Sequence, residues 1–209
     1  MKVFLLLLFY SFELFLAALL ALDMEAMLLR DMVNQVEFEI PENVLIALIE
    51  DFKYWNKFSI LFTFLLLSIK CFLIALVLYS GLFFANLHQG VKLWTLFHVA
   101  VMAESILIVA GIVKIIFGAF YNFTYSEFSL FYPLSVLSLM DFKSIQSIWY
   151  YPLQLLNLFE VFYCLLLVYF FNQEVEIGKA NSSKVVLGSY LFSITFWLIL
   201  IMFLTLNFT

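Results

Sequence analysis

The chain has 209 residues, of which 66% are hydrophobic, 20% aromatic and only 12% charged, with a mean hydropathy of +1.10. A water-soluble domain runs near 25% charged and about 45–50% apolar, so this composition cannot cover an aqueous globule and requires lipid as the main solvent. The formal charge of -5, with ten basic residues and Arg30 as the one arginine, argues against nucleic acid as a partner.

Taken in chain order, the apolar runs predict an all-α, polytopic transmembrane helix bundle forming a single integral membrane domain over residues 1–209. The first span covers about 3–22. Lys2 gives it the look of a signal peptide. The run is longer than a usual signal core, however, Glu13 interrupts it, and Ala21-Leu22-Asp23 is a poor cleavage site, so a retained helix is expected. Residues 41–55 read as an amphipathic interfacial helix: Pro41 suits a first helical position, and Val44, Leu45, Leu48, Ile49 and Phe52 recur at 3–4 spacing. A soluble linker helix is the plainer reading of the same pattern.

Spans two and three cover about 58–85 and 93–121, separated by a turn containing Gly90. The connection that follows holds a semi-apolar stretch, Phe128–Met140, broken by Pro133. It is too short to cross a bilayer and reads as re-entrant or interfacial. Span four covers about 150–171, beginning near Pro152, and span five about 185–206. Tyr54, Trp55, Trp94, Tyr121 and Trp149 fall where interfacial aromatic belts belong. With the N-terminus inside, Lys2, Lys92, Lys179 and Lys184 face Arg30, Lys53, Lys57 and Lys143 across the membrane, a tie that leaves the orientation open.

Ionisable residues within these spans carry the functional information. Glu13, Lys70, Glu104 and Glu160 lie near the midpoints of four spans, where burying one charge costs about 2.5–3.5 kcal/mol on insertion scales. Helical spacing aligns Asn56, Ser59, Thr63 and Lys70 on span two. It aligns Ala100, Glu104, Gly111 and Gly118 on span three, and Asn157, Glu160 and Cys164 on span four. These stripes are the expected inward faces, and the intramembrane polar network they predict comprises Glu13, Lys70, Glu104, Glu160 and Asn157. Lys70 is the cation placed deep enough to meet the carboxylates, whereas Lys114 can snorkel toward the headgroups.

Two readings follow. The polar stripes either glue helices together, within the chain or onto a partner, or form a proton- or ion-coupled pathway. No catalytic signature, metal-ligand spacing or cofactor motif is present, so no enzyme, metal or cofactor is expected. His88 and His98 lack metal spacing, and Cys71 and Cys164, inside apolar spans, read as packing residues. Lys70 beside Cys71 points about 100° away from it on a helix, which weakens any activated-thiol reading.

The second half of the chain, residues 130–169, resembles bacterial members of the Yip1-like family of five-span membrane proteins. The resemblance rests on Pro133-Leu134-Ser135 and on Asn157-Leu158-Phe159 after a leucine-rich segment. The acidic Asp-Leu-x-Gly-Pro element of eukaryotic members is absent, so vesicle-trafficking partners do not carry over. The resemblance implies a membrane scaffold or accessory subunit in a bacterial cytoplasmic membrane. Its partners would be the lipid bilayer and a protein partner or second copy, reached through the membrane helices, with no catalytic residues assigned.

Overall fold

The computed structural model describes residues 2–35, 42–141 and 144–208, so Pro41 and Lys143 lie outside the described residues. The fold is all-helical, at 83% helix, with no strand among those residues. Backbone groups in hydrocarbon find no water, and a helix satisfies them within the segment; the apolar runs therefore become helices.

Among the described residues, four helices are long and apolar enough to cross a membrane: α1 (Lys2–Ala21), α4 (Ser59–Phe84), α5 (Leu93–Phe120) and α9 (Lys179–Phe208). Between α1 and α4 lie α2 (Met24–Gln35) and α3 (Glu42–Asn56). After α5 come α6 (Tyr125–Leu130), single 3-10 turns at Leu137–Leu139 and Ser147–Trp149, α7 (Tyr150–Leu155) and α8 (Leu158–Glu174).

The fourth predicted span is corrected. It is not one helix over 150–171 but α7 and α8, divided at Leu156 and Asn157. The 17 residues of α8 reach about 25 Å, against a hydrocarbon core about 30 Å thick. The break has a local cause. Asn157 is extended (φ −137°, ψ 158°), and its side-chain oxygen accepts the Glu160 backbone N–H at 2.7 Å, starting a new helix. The fifth span is longer than expected, beginning at Lys179 just after Gly178 (φ 85°), a conformation glycine adopts freely.

Helix α5 is central, packing against α1, α4 and α8, while α9 closes the far side against α4 and α8. Helices α1 and α5 run parallel. Phe4 meets Trp94 and Phe97 at one end, Leu14 lies against Gly111 midway, and Leu22 lies against Gly118 at the other end. A Cβ at Gly111 would come within 2.8 Å of Leu14, and one at Gly118 within 2.6 Å of Phe128 and 2.7 Å of Leu22. The small residues of span three therefore allow α1 and α6 to approach closely.

The α4–α5 turn ends α4 with Asn86 at φ 56°, and the Leu87 N–H donates to Leu82 O at 2.9 Å, an αL-capped helix end. This turn lies at the same end of the bundle as Lys2. Helices α2, α3 and α6 gather at the opposite end, where the Ser126 hydroxyl donates to Asp31 at 2.6 Å.

The sequence reading missed α2, whose N-cap is Asp23, accepting the Ala26 N–H at 3.0 Å. The amphipathic helix is present as α3, and its Val44 and Leu48 remain exposed rather than absorbed by the bundle. The semi-apolar stretch around Pro133 is largely non-helical. It forms an antiparallel bridge between Ser135 and Asn157, in which Val136 N–H donates to Leu156 O and Leu158 N–H to Leu134 O.

Candidate functional site

Helices α4 and α5 run antiparallel, which brings Lys70 opposite Glu104. The Lys70 ammonium donates to Glu104 Oε1 at 2.6 Å, the shortest ion pair among the described residues. The two partners are not equally enclosed: the Glu104 side chain is 2% exposed and that of Lys70 42%. The lysine thus reaches inward from the perimeter of the bundle to a carboxylate sealed within it. Such a pair offsets part of the desolvation of each charge, and removing either partner strands the other.

The polar interior continues onto the last two helices. The Lys70 ammonium lies 5.5 Å from the centroid of the Tyr163 ring, within cation–π range. Tyr163 on α8 is fully buried, and its ring centroid is 5.5 Å from that of Tyr190 on α9. The Tyr190 hydroxyl donates to Glu160 Oε1. Glu160, Lys70 and Glu104 are within electrostatic reach of one another. A continuous chain of groups, Glu104, Lys70, Tyr163, Tyr190 and Glu160, therefore joins four helices.

Two atoms in this chain are buried without a hydrogen-bond partner among the described residues: Glu104 Oε2 and the Tyr163 hydroxyl. The loop before α7 reaches toward the same charges. Burial, reinforced by Glu160 and Glu104, pushes the Tyr132 phenol up to about 12.

Of the residues predicted as a network, the structure joins Lys70 with Glu104 and Asn157 with Glu160. Asn157 serves as the cap of α8, and its amide also donates to Gln154 O at 3.0 Å and Leu155 O at 3.1 Å. Two placements are corrected. Glu160 is not mid-helix but in the first turn of α8, because the helix restarts at Leu158. Glu13 is half-buried on α1 and makes no ion pair with Lys70, whose ammonium is taken by Glu104.

Asn56, Ser59 and Thr63 do not join Lys70 either; they line a separate cavity at the end of the bundle that holds α2 and α3. Cys71 is fully buried and Cys164 partly so, both as free thiols. His98 Nδ1 lies 3.7 Å from Glu174 at the opposite end.

Sequence reasoning missed the tyrosines. Aromatic residues in apolar runs read as lipid-facing or interfacial, and the signal that could have found Tyr163 is its i+3 spacing from Glu160. The cavities lie elsewhere. A groove of about 960 Å³ between α4 and α9 is lined by Val77, Phe84, Gly188, Phe192 and Trp197, and the end cavity measures about 590 Å³. Lys70, Glu104 and Glu160 line neither. Among known proteins, no family model, no curated protein and no solved structure matches this chain.

Proposed function

We propose that the protein is a non-enzymatic integral membrane protein acting as a scaffold or accessory subunit of a larger assembly, similar in role to the Yip1-like family, in a bacterial cytoplasmic membrane. The observation that carries this reading is the Lys70–Glu104 pair. Its carboxylate is enclosed and its charge is met by a lysine of the neighbouring helix, as structural glue requires.

Pro133-Leu134-Ser135 and Asn157-Leu158-Phe159, far apart in sequence, pair through the Ser135–Asn157 bridge and the Leu158 N–H to Leu134 O bond. A partner helix or a second copy would occupy the groove between α4 and α9, where Gly188 leaves open space for a close approach.

The test is purification in mild detergent. A stoichiometric companion, or a dimer, whose association is lost on Gly188→Phe while the fold persists, supports the scaffold role. A chain that stays monomeric and unpartnered across detergents contradicts it.

A second reading, a small transporter or proton-conducting subunit, is favoured by the unpartnered Glu104 Oε2 and Tyr163 hydroxyl on a chain of ionic, ring and hydrogen-bond contacts across four helices. Carboxylates at mid-depth are common equipment for such pathways. Reconstituted vesicles decide between the two. Flux that collapses with Glu104→Gln or Glu160→Gln at unchanged expression establishes transport, and its absence in the parent protein excludes it.

A further inference from the structure

The end cavity, about 590 Å³, is of ordinary ligand size and is lined by both apolar and polar side chains. Leu14, Phe15 and Ala18 of α1 and Ile115 of α5 supply apolar surface, while Asn56, Ser59, Thr63 and Lys114 supply polar groups. Lys114 decides what such a cavity takes. An ammonium has three N–H donors. One donates to Ser129 O at 3.2 Å, and the charge lies 4.9 Å from the Phe128 ring centroid. No carboxylate pairs with it among the described residues.

Neither of the two acids that also line the cavity forms an ion pair with Lys114. Glu25 pairs with Lys53 at 3.1 Å, and Asp23 accepts the Ala26 N–H as the cap of α2. A further group has spare capacity: the Ser59 hydroxyl is buried with no hydrogen-bond partner.

We propose that this cavity holds the anionic head of a membrane amphiphile at Lys114, with its hydrocarbon against α1 and α5. A cation without an ion-pair partner and an unfilled hydroxyl lining the same cavity call for an acceptor-rich anion, and the apolar residues of the lining call for a chain attached to it. A carboxylate from a fatty acid and a phosphate from a phospholipid share this chemistry.

The experiment measures saturable binding of three probes to the purified full-length chain in mild detergent: oleate, oleoyl lysophosphatidic acid and oleyl alcohol. At least one anionic probe is expected to bind about tenfold or more tighter than the alcohol, a preference of about 1.4 kcal/mol. Preference for oleate alone identifies a fatty acid as the source, and preference for the phosphate alone a phospholipid. Lys114→Met should bring the anions down to the level of the alcohol, Lys114→Arg should retain the preference, and Ala18→Trp should weaken all three by filling the cavity. The parent protein binding the alcohol as tightly as both anions overturns the proposal, whether or not the variants fold. A folded Lys114→Met with unchanged anion binding overturns it equally.

Discussion

Glu104 and Glu160 look alike in the sequence, each a single carboxylate amid apolar residues, yet the two halves of the molecule treat them differently. Glu104 sits 11 residues into the 28-residue α5, far from any helix end, and only a cation from a neighbouring helix can meet it there. Glu160 sits in the first turn of α8, where the N-terminal end of the helix dipole favours a negative charge and Tyr190 donates a hydrogen bond. A carboxylate's depth along an apolar run thus says little until the start of its helix is known. Asn157 sets that start, and with it the character of the whole α7–α8 half.

The largest effect is expected from Lys70→Met. It strands a carboxylate that is 2% exposed and should destabilise the protein by about 3–5 kcal/mol, read as a lowered unfolding temperature in detergent. Tyr190→Phe probes the other half. Losing a hydrogen bond to a charged group should cost about 1.5–3 kcal/mol, and an unchanged unfolding temperature would show that Glu160 is satisfied by the helix end alone.

Gly118→Ala adds a Cβ 2.6 Å from Phe128 and 2.7 Å from Leu22 and should destabilise by about 1–3 kcal/mol. The same change at Gly188, where nothing lies within 4 Å, should be close to neutral. Asn157→Ala removes the α8 cap for about 1 kcal/mol, and Asn157→Asp should recover only part of it, because the carboxylate still accepts the Glu160 N–H but cannot donate to the Gln154 and Leu155 carbonyls.

A last effect appears only at alkaline pH. The Tyr132 phenol, pushed up to about 12 from its usual 10.0, stabilises the fold fully below pH 10. That contribution is lost as pH rises toward 12, and Tyr132→Phe should flatten the decline in the alkaline unfolding profile.

How much of this was legible in the sequence follows the length of each run. The long continuous runs that became α1, α4, α5 and α9 carry their own signal, since about 20 apolar residues have one stable form in lipid. That Lys70 meets a carboxylate was legible, since it is the one deep cation, but three carboxylates were open to it and only the packing of α4 against α5 selects Glu104. The division of span four was not. It depends on Leu156 and Leu158 bonding to the 134–136 segment and on Asn157 capping locally, and a hydropathy window averages over a single residue. Helix α2 escaped because its polar residues mask a 3–4 spacing. The tyrosines escaped because their hydroxyls become informative only once α8 and α9 are placed side by side.

A double-mutant cycle at residues 70 and 104 tests most directly whether the buried charges turn toward one another. Unfolding free energies would be compared for the parent, Lys70→Met, Glu104→Leu and the double variant. Each single change should be strongly destabilising, and the double variant should recover about 1–3 kcal/mol relative to their sum. Strict additivity would mean that Lys70 and Glu104 do not meet in the membrane, and the account of a polar interior built on them would fail.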